Sequence, residues 1–280
     1  MNAPLGPFML ERLRDLPALP QVVIDVQTAL SREDVSLDEI ARRISHDQAL
    51  AARTLRLANC SFYGVPGRVV SIRNAIGVLG MRSLSTMLTA AAVSNAFREV
   101  ACKNFDLGSF WRHSIAVALC SQEVARMLLV DADVAFTAGL LHDLGRLALA
   151  SKAPVELGAI LVRRNEDDCL ILAAERSVLG TDHTVIGARV AGGWHFGAKV
   201  VAAIRLHHEP PSSPSATLID IIHAADSIVH ALDVAGDPNE MVPPLDIGAW
   251  NRLALTSEQS RAVFRHTESE LDELCEVLAV

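Results

Sequence analysis

The chain has 280 residues, 50% of them apolar, 4% aromatic and 21% charged, with 33 acidic and 25 basic side chains and a net charge of −8. That is too apolar for a disordered chain, and few aromatics beside runs such as LTAAAV and VVAAIR favour helices over a sandwich or barrel. An acidic balance also argues against nucleic-acid binding, which draws on a basic face.

Taken in order, residues 36–39 read SLDE, a capping box with Ser36 as N-cap and Glu39 three residues on. Asp47 starts a second helix through QALAARTLRLAN, and CSFYGVPG after it is a turn. Ser71 opens a helix with Ile72, Ala75, Ile76 and Leu79 on one face, ending at Gly80; a further apolar helix covers residues 83–97. Asp106 to Ser109 starts a long helix whose inner stripe is Phe110, His113, Val117, Cys120, Val124 and Met127. Asp133 starts a helix through VAFTAGLLHDLGRLALA, bounded by Pro154, and residues 155–179 are also helical. Thr181 caps a helix containing His183, residues 197–208 form a short helix, and Ser215, after the loop PPSSPS, starts ATLIDIIHAADSIVHAL. After the Pro-rich GDPNEMVPPLDIGAW come two caps, Thr256 with Gln259 and Thr267 with Glu270. Leu271, Leu274 and Leu278 share an apolar face on the last helix.

The acidity is concentrated at the end, where residues 237–280 carry 9 acidic and 3 basic side chains. Five cysteines (Cys60, Cys102, Cys120, Cys169 and Cys275), odd in number and without a C-x-x-C pair, read as small buried hydrophobes in a reducing compartment. No uninterrupted apolar run reaches the ~18 residues of a membrane span, and the N-terminus lacks a secretory signal. These features predict a cytoplasmic protein with no membrane span.

The informative feature is polarity in the wrong place. His113, His142, Asp143, His183 and Asp226 interrupt faces that otherwise read as core, and the pair His207 and His208 lies between them in the chain. A buried carboxylate or imidazolium costs several kcal/mol unless it is paired, hydrogen-bonded or bound to metal. One such histidine is better read as a satisfied core residue; the whole set on successive helices points to a metal centre. Histidine with aspartate, without cysteine, is a ligand set for one or two divalent transition metals (Fe, Mn, Zn, Co or Ni) and suits hydrolytic chemistry. His142 and Asp143 are adjacent, about 100° apart on a helix, so they flank one metal or let Asp143 bridge two and position a hydroxide for attack on phosphorus. Arg146, one turn after His142, has two readings, a phosphate contact and a surface ion pair.

The segments WRHS at 111–114, GLLHDLGR at 139–146, GTDH at 180–183, LHHE at 206–209 and AADS at 224–227 follow the order H…HD…H…HH…D, which resembles the HD superfamily of metal-dependent phosphohydrolases. LPALPQVVIDVQTAL, the stretch from SLDEIARRISHDQ to LRLANCSFYG, and SIRNAIGVLGMRSL narrow the resemblance to the HDOD domain, the HD-related output domain of bacterial signalling proteins, over roughly residues 12–230. The resemblance implies an all-α fold. Within it, an HDOD domain at 10–235 divides into an N-terminal helical part (10–108) and an HD-type part (109–235), and residues 236–280 form an acidic helical extension. It further implies that His113, His142, Asp143 and Asp226 hold a first metal, and that His183 with His207 or His208 holds a second that shares Asp143. The chain lacks the GYP continuation of the HD-GYP cyclic-di-GMP phosphodiesterases and has Arg146 where their HD-x-G-K motif has lysine.

Two functions follow as expectations. The first is a signal-transduction or regulatory module acting with response-regulator or cyclic-di-GMP domains. The second is a metal-dependent phosphohydrolase or phosphodiesterase acting on a nucleotide or cyclic dinucleotide.

Overall fold

A computed structural model describes Gly6 and residues 11–13, 15–16, 18–29, 36–60, 67–237 and 240–278, and all regular structure among them is helical. The chain divides into two compact units, one of Ala18–Arg98 with Ser269–Val280, the other of Met1–Pro17 with Glu99–Glu268.

The first unit contains α1 (Gln21–Ala29), α2 (Leu37–His46), α3 (Gln48–Ala58) and α4 (Ile72–Ala96), with α4 packed against all three others. Ser36 precedes α2, but its side chain makes no capping bond, and Glu39 instead pairs with Arg43 one turn on. Asp47 caps α3 by accepting from the Leu50 amide at 3.0 Å, and Ser71 caps α4 by accepting from the Asn74 amide at 3.1 Å. Of the predicted CSFYGVPG turn, residues 61–66 lie outside the described residues. Its base is closed by the Asn59 side chain, which accepts from the Val69 amide at 2.9 Å and donates to the Val69 carbonyl at 2.8 Å. Gly80 breaks α4 with φ +75, a conformation that costs a residue with a Cβ appreciably more than glycine. By length and composition α4 would reach across a membrane, yet 67% of its most apolar stretch is buried inside the protein.

The second unit contains α5 (Leu107–Met127), α6 (Ala132–Leu141), α7 (Leu144–Lys152), α8 (Pro154–Asp167), α9 (Ile171–Leu179), α10 (His183–Gly193), α11 (Ala198–Leu206), α12 (Leu218–Leu232) and α13 (Ile247–Leu253). The last helix, α14 (Ser257–Leu278), begins in this unit, and its residues from Ser269 cluster with the first. Helix α5 packs along α6 and α12, and α10 lies against α7 and α11.

Several expected boundaries move. Asp131 rather than Asp133 caps α6, accepting from the Val134 amide at 3.1 Å. The single helix expected through VAFTAGLLHDLGRLALA is two, because Asp143 takes φ −98, ψ 16 between α6 and α7. Residues 155–179 are likewise split, at left-handed Asp168. Asp182, not Thr181, caps α10, accepting from the Thr184 and Val185 amides. Thr217, not Ser215, caps α12, forming a reciprocal box with Asp220. The Thr256–Gln259 cap is present, but Thr267 lies inside α14, donating to the Val263 carbonyl at 2.9 Å. Leu271, Leu274 and Leu278 are buried, and all five cysteines are free.

Helices α7 and α10 cross at two glycines. A Cβ on Gly145 would sit 2.0 Å from the His183 carbonyl oxygen and 2.8 Å from the Gly187 nitrogen. Both obstacles are backbone, so no rotamer change relieves them. Gly145→Ala is therefore expected to destabilise the protein by about 3 kcal/mol and Gly158→Ala, in open space on α8, to stabilise it by about 0.5–1 kcal/mol. Urea denaturation of both variants checks the contrast; equal effects would contradict the close crossing.

Candidate metal centre

All seven predicted ligands converge. His113 comes from α5, His142 and Asp143 from the α6–α7 joint, His183 from the first position of α10, His207 and His208 from the end of α11, and Asp226 from α12. All are buried except half-buried His208. The placement of His142 and Asp143 differs from expectation: they lie at a break between helices rather than within one, which turns the HD step into the corner between α6 and α7.

The seven side chains form a continuous cluster around two carboxylates. Asp226 Oδ1 lies 3.1 Å from His113 Nε2 and 3.5 Å from His142 Nε2. Asp143 Oδ1 lies 3.2 Å from His183 Nε2 and 3.9 Å from His207 Nε2. The two groups meet where His142 Nε2 is 3.8 Å from Asp143 Oδ2, and through His208, whose Nε2 is 3.2 Å from His183 Nε2 and whose Nδ1 is 3.9 Å from Asp226 Oδ2.

Backbone and carboxylate acceptors hold the outer ring nitrogens. His142 Nδ1 donates to the Gly139 carbonyl at 2.7 Å, His207 Nδ1 to the Ile204 carbonyl at 2.9 Å, and His183 Nδ1 to Glu175 at 2.6 Å. This is the outer bonding that orients metal-ligating imidazoles and turns Nε2 inward. His207 makes the case most clearly. With its proton on Nδ1, its Nε2 is an acceptor, buried and without a hydrogen-bond partner among the described residues. It faces Asp143 Oδ1, another acceptor. Two buried acceptors facing one another fit a cation between them.

Protonation follows from burial and neighbouring charge. Burial, with the charge of His230, lowers His113 to about 4, and burial lowers His208 to about 4, so both are neutral at pH 7. Burial and the neighbouring imidazoles hold His207 well below the usual histidine range. Burial opposes charge on His183 too, but Glu175 and Asp143 carry it up to about 9. Asp143 resists the upward pull of burial because His142, Arg146 and His183 hold its carboxyl well below the usual range.

Arg146 makes a largely buried ion pair in place of a surface one. Its Nη1 donates to Asp143 Oδ2 at 2.9 Å, with the side chain 18% exposed. Its guanidinium carbon sits 6.0 Å from the Phe105 ring centroid, and its Nε is buried without a partner among the described residues. A cleft of about 450 Å³ opens beside it, floored by His113, His208 and His230 and walled by Phe105, Phe110, Leu161, Met241 and Pro243.

His223 and His230 lie one turn either side of Asp226 in the sequence, a spacing that lets one of them support it, and His230 Nε2 lies 3.2 Å from Asp226 Oδ1. Glu175 and Glu240, which hold His183 and His230, have no local signature. His223 lies behind the cluster: its Nδ1 donates to the His207 carbonyl at 2.7 Å and its Nε2 accepts from the Asp246 amide at 2.8 Å.

Residues 16–210 match the HDOD domain family. A solved structure of a proposed phosphohydrolase from Shewanella amazonensis aligns with a TM-score of 0.76 and 28% identity over 98% of each chain. A proposed metal-dependent phosphohydrolase from the same organism aligns with a TM-score of 0.66 and 25% identity, over 95% of this chain and 96% of that one. An uncharacterized Treponema pallidum protein is 27% identical over 249 residues, 85% of this chain and 47% of its own length. The chain thus spans less than half the length of the curated relatives it matches first.

Asp182 holds the start of α10, and hence His183, through the Thr184 and Val185 amides and an ion pair with Arg176 at 2.8 Å. Burial pulls its carboxyl up, but the Thr184 hydroxyl and Arg176 push it down to about 2. Asp182→Ala should cost about 1–2 kcal/mol at pH 7. The folded carboxyl titrates below the unfolded one, near 3.9, so its contribution is complete above about pH 4 and is lost as the pH falls toward 2. Urea denaturation at stepped pH should show the gap between wild type and variant closing over that interval; a gap that widens on acidification would reverse the assignment.

Proposed function

The chain belongs to the HDOD family, and from that premise we propose that it is a signalling-output domain whose His/Asp centre holds divalent transition metal and acts on a phosphate ester. The observation that carries this reading is the buried, unpartnered His207 Nε2 facing Asp143 Oδ1 inside a cluster of inward-turned imidazoles. A core packed for stability alone would not leave two acceptors opposed.

His113, His142, Asp143 and Asp226 would hold one metal, and His183 with His207 or His208 a second. Bound there, such metals supply Lewis acidity toward a phosphoryl oxygen and lower the pKa of water. The protein's own contribution is positional. Glu175 and the Gly139 and Ile204 carbonyls fix the imidazoles, and the cleft beside them has the size of small-molecule sites. Its aromatic and apolar walls suit a nucleoside or similar organic group, and the Arg146 guanidinium that lines it suits the phosphate. The phosphohydrolase assignment of the two Shewanella amazonensis proteins supports the same chemistry. Partners with receiver or cyclic-di-GMP domains remain the expectation from the family.

One observation favours a second reading, a regulatory module whose metal is structural. Arg146 engages Asp143 Oδ2 at 2.9 Å, which leaves this carboxylate one oxygen for metal. The two readings part in one experiment. Elemental analysis of the purified protein should find one or two transition-metal ions per chain, with most lost in the His142→Ala/Asp143→Ala double variant. A panel of nucleotides and cyclic mono- and dinucleotides should then show metal-dependent hydrolysis that falls by at least about 100-fold in Asp143→Ala. No metal in the wild type sinks both readings; metal without turnover selects the regulatory one.

A further inference from the structure

Asp226 Oδ1 is met by three imidazole Nε2 atoms, those of His113 at 3.1 Å, His142 at 3.5 Å and His230 at 3.2 Å. The first two belong to the ligand set that the family pattern implies; the third does not. His230 is nonetheless built like the others. Its Nδ1 is engaged by the Glu240 carboxylate, as the Nδ1 of His183 is by Glu175, and its Nε2 turns inward. One ligand atom from each of His113, Asp226 and His230 lies within 4.8 Å of the other two. The rings of His113 and His230 have centroids 4.4 Å apart.

Asp143 has other partners: Oδ2 accepts from Arg146 at 2.9 Å, and Oδ1 lies 3.2 Å from His183 Nε2. It still comes within ligand range of His113 and His142, so His230 adds a donor to this end of the cluster rather than replacing one.

We propose that His230 is an additional metal ligand at the His113–His142–Asp226 end of the centre, oriented by Glu240. The proposal rests on the metal-centre reading above and extends it. Glu240 is carried by the segment whose Met241, Pro243 and Pro244 wall the cleft, so the same carboxylate that orients the ligand anchors one wall. A carboxylate behind an imidazole raises its basicity as a ligand, and loss of such a partner typically costs 10–100-fold in affinity. Three imidazoles and one carboxylate form a set suited to Zn, Fe, Co or Ni.

Cobalt(II) tests this without reference to turnover. The full chain, stripped of metal, is titrated with Co²⁺ while visible absorption and bound cobalt are read together, for wild type, His230→Gln and Glu240→Gln. The expected result is cobalt uptake by the wild type, with affinity at one site lower by about 10–100-fold in each variant and a changed absorption band in His230→Gln. Wild-type affinity and an unchanged band in the variants would overturn the role of His230 alone. A wild type that takes up no cobalt would overturn the metal-centre reading with it. If far-UV circular dichroism shows that His230→Gln fails to fold, Glu240→Gln decides, since its carboxylate lies at the edge of the cluster.

Discussion

Asp143 and Asp226 are carboxylates in a helical core, and an unpaired charge there costs several kcal/mol. The arrangement of the larger unit is the set of answers to that cost. Helix α5 contributes His113, α10 His183, α11 His207 and His208, and α12 His230, while α7 contributes Arg146. Each helix therefore has at least one position that the cluster dictates, and the surrounding apolar faces pack around it. Protons do part of this work: Asp226 and Glu240 bring His230 to about 10, and Glu175 and Asp143 bring His183 to about 9, against the opposing pull of burial. A metal that took either Nε2 would displace such a proton, so its uptake would release protons.

Holding a carboxylate between imidazoles from separate helices requires those helices to approach closely. Gly145 and Gly187 permit it, since any Cβ on Gly145 would strike the backbone carbonyl of His183 itself. The glycine two residues after Asp143 is thus part of the centre's geometry. It lets α7, which follows Asp143, lie against α10, which begins with His183. The break at Asp143 has the same purpose. A continuous helix would hold Asp143 on the α6 spiral, whereas φ −98, ψ 16 turns the chain there and starts α7 in a new direction.

The all-helical fold and the convergence of seven polar side chains were legible because both leave local marks, apolar periodicity in one case and polar residues on apolar faces in the other. What escaped reading was the choice between neighbouring candidates. DAD at 131–133, TD at 181–182 and the serine and threonine before α12 each offer two residues able to cap, and the winner is set by where packing needs the first turn to begin. Thr267 with Glu270 has the spacing of a cap, yet Thr267 is buried within a continuous α14. Glu175 and Glu240 were invisible for a different reason. A carboxylate that supports an imidazole from another element has no spacing rule, so only the folded chain brings Glu175 to His183 and Glu240 to His230.

Arg146 shows how one substitution can shift the balance between a structural and a reactive centre. A lysine ammonium is a compact point charge on a flexible stem, whereas guanidinium is a rigid fork with five donors. On this scaffold one donor is held by Asp143 and the carbon lies 6.0 Å from the Phe105 centroid, so the fork is fixed with Nε left over. That single residue therefore neutralises the buried carboxylate, limits how much of it a metal can use, and lines the cleft beside it. A phosphate ester entering the cleft would meet a cation already oriented, at a carboxylate already half committed. The same ion pair that makes Asp143 tolerable in the core thus leaves imidazole as the main donor type that the cluster could offer a metal.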